Sequence, residues 1–250
     1  SDIHANREAL EAVLARINEL GADRIICLGD IVGYGPDPAW CVDTVLKRCD
    51  MVVAGNHDTA LIYGGRDLSD VADAAVNYHR MLLMPGSRLP GDDARRAARW
   101  QALKALPHRH VDPGHLFVHA APRNPINEYL RERDVRLGME RKLGKNFALV
   151  DWVAFIGHTH RPGVITPEPD FISTERCEGL YRVMPGRKAI VNVGSVGQPR
   201  DRDPRACFVT VDGPEICFHR IEYDIEATAA KIQTAGALDP RLADRLRTAT

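Results

Sequence analysis

The strongest constraint on this chain is a pattern that occurs four times: a short apolar run stops at glycine or histidine and delivers polar, metal-competent side chains. Ile25-Ile26-Cys27-Leu28 runs into Gly29-Asp30, and Met51-Val52-Val53-Ala54 into Gly55-Asn56-His57-Asp58. Leu116-Phe117-Val118 runs into His119, and Trp152-Val153-Ala154-Phe155-Ile156 into Gly157-His158-Thr159-His160. Such runs read as buried strands bounded by turns. Open α/β sheets place their ligands at the carboxyl ends of strands. The polar residues add up to Asp, Asn and His in numbers suited to two metal ions, with Asp30 able to bridge them. No cysteine is among them, which points away from a structural zinc cluster and toward hard or borderline divalent ions.

The segments between the runs supply the covering helices. Asn6 is placed to cap a helix carrying Leu10, Val13, Leu14, Ile17 and Leu20 at helical spacing, ended by Gly21. Asp37-Pro38 reads as N-cap and first position of a second helix ending near Arg48. The order helix, strand, helix, strand argues for parallel strands with crossover helices. Residues 59–115 change character, with Val71, Ala75, Tyr78 and Leu82 at helical spacing and a second helical stretch bearing Arg95, Arg96 and Arg99; they read as a helical insertion near the site mouth. A solvated helix face explains those arginines more simply than a substrate funnel. Residues 126–137 read as helical or irregular, and the connection holding Pro162, Pro167 and Pro169 as exposed. Residues 189–193 form another buried run, and Asp212-Gly213 between two apolar runs signals an antiparallel hairpin. Helices around Ile232 and after Pro240 close the chain. The expectation is one domain over residues 1–250: an α/β (α+β), four-layer α-β-β-α sandwich of two mixed sheets with flanking helices. A doubly wound single sheet is the alternative.

With 33 Lys+Arg against 34 Asp+Glu the net charge is −1, so no global basic field exists to hold a polyanion, and nucleic acid is not supported as an obligate partner. Six cysteines form no Cys-x-x-Cys pair, and Cys27, Cys207 and Cys217 lie in apolar runs; reduced thiols and a cytoplasmic location are expected. No apolar run reaches membrane-spanning length and the first residues do not resemble a signal peptide. Asp2 stands where a preceding strand would position it, and that strand is not in the sequence.

Taken in order, Asp2-x-His4, Gly29-Asp30, Gly55-Asn56-His57-Asp58, His119 and Gly157-His158-Thr159-His160 resemble the calcineurin-like metallophosphoesterases. Residues 29–36 (GDIVGYGP) and 192–201 (NVGSVGQPRD) resemble those of the small bacterial phosphoesterases of that superfamily, so the likeness covers nearly the whole chain. It implies the same four-layer fold. It also implies that Asp2, His4, Asp30 and His160 hold one divalent ion and Asp30, Asn56, His119 and His158 a second, with manganese expected and iron, zinc or nickel as alternatives. Asp2 and His4, two apart in extended chain, project to one side, as do His158 and His160. Two ions roughly 3.5–4 Å apart can share a hydroxide for in-line attack on phosphorus. His57, beside a ligand but not one in the family pattern, is then the general acid for the leaving oxygen.

Arg123, Arg161 and Arg200 flank the ligand loops and are candidates to hold phosphate, although surface ion pairs explain each equally well. Gly194 and Ser195 form either a plain turn or a loop presenting N–H groups to an anion. Asp58 either caps the following helix or orients a catalytic group. The remaining histidines, at 79, 108, 110, 115 and 219, have no partner pattern and read as surface or satisfied core residues.

Departures from the family pattern are informative as well. Gly33-Tyr34-Gly35 stands where protein phosphatases of the superfamily carry an Asp and an Arg, which disfavours a phosphoprotein substrate. Ala120-Ala121-Pro122 replaces the usual Gly-Ser-Pro, and Val193 a common proline, which bears on pocket shape. The function expected is a dinuclear-metal phosphoesterase hydrolysing a small phosphodiester or phosphomonoester. A nuclease would need a basic groove that this chain does not advertise. The alternative from another class is a metal-binding scaffold or regulatory module, against which the retained His57 argues.

Overall fold

A computed structural model describes residues 1–65 and 68–250. Helix α1 (Arg7–Leu20) leads into β1 (Ile26–Cys27), α2 (Pro38–Arg48) and β2 (Met51–Val52), followed by α3 (Asn56–Tyr63), α4 (Asp70–Leu83) and α5 (Asp93–Lys104). Strands β3 (Arg109–Asp112) and β4 (His115–Val118) precede α6 (Glu132–Arg136) and α7 (Glu140–Phe147). Then come β5 (Val153–Ile156), β6 (Gly163–Ile165), β7 (Phe171–Ser173), β8 (Leu180–Arg182) and β9 (Ala189–Asn192). The hairpin β10 (Ala206–Asp212) and β11 (Glu215–Ile221) and helices α8 (Ile225–Thr234) and α9 (Arg241–Thr248) complete the order.

Among the described residues the strands form three ladders, which sets aside the single doubly wound sheet. The largest runs β3-β4-β5-β9-β6-β7, with β4, β5 and β9 parallel and the remaining neighbours antiparallel. A parallel pair, β1-β2, and an antiparallel trio, β10-β11-β8, lie opposite it. Alternation along each strand accounts for the layering. Leu28, Val53, Ile216 and Phe218 face Val153, Phe155, Val164 and Val191 in one cluster between the sheets. Cys27, Val52, Ala206 and Phe208 point the other way, onto Leu10, Val13 and Leu14 of α1 and Val42 and Val45 of α2. On the far side, Ala154, Ile156 and Ile190 meet Leu143 and Phe147 of α7. Helix, sheet, sheet and helix therefore stack as the sequence indicates.

Residues 1–5 run between the two smaller ladders. Asp2, His4 and Ala5 donate backbone hydrogen bonds to the carbonyls of Gly29, Asp30 and Ile31, while Ser1 and Asp2 accept from Val196 and Gly197. That bonding consumes N–H groups of the 194–197 loop, and Gly194 N donates to Asn192 Oδ1. The loop is structural rather than an anion cradle.

Three expectations need correction. Arg109–Asp112, inside the stretch read as a helical insertion, is instead an edge strand, because it pairs with β4 in register; residues 66 and 67 of that stretch lie outside the described residues. The proline-bearing connection is not simply exposed: it contains the β6-β7 hairpin, and Pro162 is buried. Asp37 does not cap α2 with its side chain, which pairs instead with Lys231 of α8. Of the α5 arginines, Arg99 pairs with Asp43 and the buried Arg96 bonds the carbonyls of Leu82, Leu89 and Pro90. Both are structural.

A candidate metal centre at the strand ends

Five of the seven expected ligands sit beyond a strand or at the start of a helix fed by one. Asp30 follows β1, Asn56 opens α3 after β2, His119 follows β4, and His158 and His160 follow β5. Asp2 and His4 reach the same end through the bonds that tie residues 2–5 to residues 29–31. The parallel pairs β1-β2 and β4-β5 make these ends coincide.

The side chains converge. Asp2, His4 and His160 form one buried cluster, and Asp30, His119 and His158 another. His160 Nε2 lies 3.1 Å from Asp2 Oδ1 and 3.1 Å from His4 Nε2. His119 Nε2 lies 3.2 Å from His158 Nδ1 and 3.1 Å from Asn56 Oδ1. Asp30 Oδ2 stands between the clusters, 3.7 Å from His4 Nε2 and 3.4 Å from His119 Nε2. Donor atoms sharing an ion at bonds of roughly 2.0–2.2 Å must themselves lie roughly 3 Å apart.

The hydrogen bonding on the outer side of the rings tests whether cations fit. His4 Nδ1 is 3.0 Å from Val32 O, His119 Nδ1 2.9 Å from Leu28 O and His160 Nδ1 2.5 Å from Gln198 O. A carbonyl only accepts, so each Nδ1 carries the proton and the Nε2 lone pair of the neutral ring points inward. Lone pairs of His4 and His160 facing each other at hydrogen-bond distance repel unless a cation lies between them. A second group fixing the tautomer is what metal-bound histidines have. Burial, the first cause in each case, lowers His4 and His160 and takes His158 down to about 3. His119 behaves otherwise: burial opposes its charge, but the Asp30 carboxylate prevails and lifts it to about 9. The proton favoured there is one that metal binding releases.

The backbone is strained at the same place. Asp2, His4, Asp30, His158 and His160 all have positive φ, between +48° and +64°. Left-handed backbone costs a non-glycine residue roughly 1–2 kcal/mol, and such strain clusters at functional sites. It also corrects the expectation of extended chain. Turning at each residue sends His160 to Asp2 and His4 but His158 to Asp30 and His119.

Supporting residues were partly invisible in the sequence. Asp58 fulfils both roles considered for it: Oδ2 accepts from Gly55 N–H at 3.0 Å, as a cap does, and Oδ1 accepts from Ile31 and Val32, fixing the Asp30 loop. Gly55 is required by contact, since a β-carbon there would lie 2.0 Å from Asp30 Oδ1. His57 donates its backbone N–H to Asp30 Oδ1 at 2.8 Å, and its ring Nε2 stands 4.0 Å from Asp30 Oδ2. Burial lowers the His57 ring to about 4. Tyr34 packs edge-on to His4 with ring centroids 4.6 Å apart and lies 4.7 Å from His57, while Tyr129 stacks on His158 at 3.9 Å.

A cleft of about 390 Å³ opens onto this centre, lined among others by Asn56, His57, His158, Tyr34, Tyr129 and Arg200. Arg200 is thus the expected arginine that reaches it. Arg123 forms a bidentate pair with Glu128, and Arg161 is exposed; neither lines the cleft. Arg245, on α9, does. Nothing in its local sequence marked it, because its neighbours Leu242, Ala243 and Leu246 follow an ordinary helix-packing pattern.

A sandwich of mixed sheets with Asp, Asn and His gathered at the strand ends defines a metallophosphoesterase fold. The family model for the calcineurin-like phosphoesterase superfamily domain matches residues 1–213, and the chain belongs to that superfamily. It is 31% identical over 236 residues to uncharacterized protein MJ0912 of Methanocaldococcus jannaschii, covering 93% of this chain and 89% of that one. A crystal structure of a metallophosphoesterase from Sphaerobacter thermophilus superposes with a TM-score of 0.79 at 36% identity, over 100% of this chain and 97% of that chain. Hypothetical protein PH1004 from Pyrococcus horikoshii OT3 shares the fold, with a TM-score of 0.71 at 20% identity over 98% and 94%.

Proposed function

We propose that the protein is a dinuclear-metal-dependent phosphoesterase hydrolysing a small phosphodiester or phosphomonoester. The observation that carries this reading is the set of three buried rings, His4, His119 and His160, whose Nδ1 protons are spent on backbone carbonyls while their Nε2 atoms converge on Asp2 and Asp30. Asp2, His4 and His160 would hold one ion and Asn56, His119 and His158 the other, with Asp30 shared. Manganese is the first choice, with iron, zinc and nickel compatible with the same donors. Two such ions supply a nucleophile from water at neutral pH and positive charge for the phosphoryl oxygens.

The chain's own groups do the rest. Backbone N–H groups of His57 and His158 hold the Asp30 and Asp2 carboxylates in place before substrate arrives. His57 serves as general acid. Burial keeps its ring neutral in the free site, and an arriving phosphate anion favours the protonated form that can donate to the leaving oxygen. A cleft of about 390 Å³ falls in the range of small-molecule sites, roughly 300–1,000 Å³, which supports a small ester over a nucleic acid strand. All six cysteines are free, in keeping with a reducing, cytoplasmic setting. No described helix is long and apolar enough to cross a membrane.

Metal-free protein reloaded with each ion and assayed on bis(p-nitrophenyl) phosphate, a monoester, a cyclic nucleotide and a dinucleoside polyphosphate tests the assignment. Diester or monoester turnover, highest with manganese, is expected; silence in every well with metal fully loaded would favour the scaffold. His57→Ala should lower kcat on an alkyl ester by roughly 10²–10⁴ and much less on a p-nitrophenyl ester, whose leaving group needs no proton. Full turnover of the alkyl ester by this variant would remove His57 from the mechanism.

A further inference from the structure

Two cations share the cleft with the metal centre, and neither meets a carboxylate among the described residues. Arg200 follows the 194–199 loop, and its backbone N–H donates to His160 O at 3.2 Å, which ties it to a ligand loop. Its guanidinium bonds only the neutral Gln198 Oε1, at 2.8 Å and 3.3 Å, and lies 5.6 Å above the Tyr34 ring. Arg245 projects from α9, whose Leu242 and Leu246 pack with Tyr34 in one buried cluster. Both arginines are half-buried. Burial first, and Arg200 second, make charge on Arg245 less favourable than on an exposed arginine.

Several arginines outside the cleft are paired. Arg123 is paired with Glu128, and Arg241 and Arg247, on the same helix as Arg245, are paired with Asp239 and Glu226. Among the described residues that line the cleft none is acidic. Two half-desolvated guanidinium groups that line one cleft and repel each other without a counter-charge are costly, and an anion bound by both relieves that cost through charge-assisted, bidentate bonds. Tyr34 packs against both His4 and His57 and lies under Arg200, so this guanidinium stands one aromatic ring away from those histidines.

Resting on the phosphoesterase reading, we infer that Arg200 and Arg245 form a subsite for a second phosphate of the substrate, which is therefore an organic molecule carrying two linked phosphates. The scissile group sits at the metal centre, and the second lies under the two guanidinium groups. Leu68, Ala72 and Ile126, on the cleft wall, give its organic part an apolar surface.

Adenosine, AMP and ADP present zero, one and two phosphates on one frame. Their inhibition constants are measured against hydrolysis of bis(p-nitrophenyl) phosphate by metal-loaded enzyme with free metal held constant. In the wild type ADP should bind at least tenfold more tightly than AMP. In Arg200→Gln and Arg245→Gln that ratio should shrink to about two or less, and Arg245→Lys should restore part of it. The ratio is internal to each variant, so a general loss of activity does not mimic the result, and the wild-type ratio stands even where a variant fails to fold. Equal affinity for AMP and ADP in the wild type, or an unchanged ratio in both glutamine variants, would overturn the second-phosphate subsite. No turnover of bis(p-nitrophenyl) phosphate would instead be a failure of the phosphoesterase reading itself.

Discussion

Gly33 has a φ of +93°, and a β-carbon built there would lie 2.2 Å from His57 Nδ1. Gly33→Ala must therefore displace His57 as well as strain the backbone, and displacements near 1 Å cost roughly 10²-fold in rate. We expect kcat on an alkyl phosphate ester to fall about 100-fold with metal content, read by mass spectrometry, unchanged; undiminished turnover would mean that His57 does not act where it stands. The same loop is held from behind by His79, whose Nδ1 accepts from Gly33 N–H at 3.0 Å and whose Nε2 donates to Gly35 O at 2.8 Å. A protonated ring has no acceptor for Gly33, and burial together with nearby His57 takes His79 from its ordinary 6.5 to about 4. Because the folded value is depressed, the unfolded chain binds the extra proton between those limits. Stability from His79 is thus complete above about 6.5 and is lost as pH falls toward 4. The stability advantage of wild type over His79→Gln should shrink by about 2 kcal/mol between pH 7.5 and pH 5; parallel urea-denaturation profiles across that range would refute the assignment. The ligands were legible from composition at strand ends because Asp, Asn and His have few reasons to follow apolar runs. His79 was not, since a lone histidine in a helix carries no pattern, and only the fold shows that it spans Gly33 and Gly35.

Among the elements, α1 was readable nearly to the residue, and its cap shows what the sequence leaves out. Asn6 Oδ1 accepts from Ala9 N–H at 3.1 Å, as expected, and Gly21 closes the helix in left-handed conformation. Asn6 also donates to Gly197 O at 2.9 Å and to Tyr223, and accepts from Thr228 of α8. The cap therefore joins the N-terminal segment, the 194–197 loop and the C-terminal helix. Loss of a cap costs about 1 kcal/mol, and a buried group left without its partner about 1–3 kcal/mol more. Asn6→Ala should lower unfolding free energy by about 2–4 kcal/mol in denaturant titration, whereas an exposed cap such as Asp92→Ala should stay near 1 kcal/mol. Equal losses for the two would show that the long-range bonds contribute nothing. The α7 helix and the β3 edge strand escaped detection for local reasons. In α7 the buried apolar residues are Leu143 and Phe147 alone, a stripe too thin to stand out among Glu140, Arg141, Lys142 and Lys145. In β3 a single valine sits between Arg109, His110 and Asp112, and pairing with β4 rather than apolar content makes it a strand.

At the scale of the molecule, the proposed metal donors tie together parts of the chain that the hydrophobic clusters hold separately. Asp2 and His4 precede α1, Asp30 and Asn56 belong to the smaller parallel ladder, and His119, His158 and His160 to the large sheet across the sandwich. Five of the seven are in left-handed backbone, and the unprotonated Nε2 atoms of His4 and His160 face each other at 3.1 Å. The fold therefore stores strain and repulsion at one end of both sheets. Cations that bind only this arrangement return free energy to the folded state. A ligand present at 1,000 times its dissociation constant stabilises by about 4 kcal/mol, and for a chain of this size each kcal/mol shifts the melting midpoint by about 2–4 °C. Manganese at that excess should raise the midpoint of metal-free protein by about 8–16 °C for each site filled. His160→Ala removes a donor of one cluster and Asn56→Ala a donor at the other, so each should lower the rise without abolishing it, and the two together should nearly remove it. A midpoint indifferent to manganese, or a rise equally large in the double variant, would mean that the converging side chains hold no ion and that the strained backbone at their bases serves some other end.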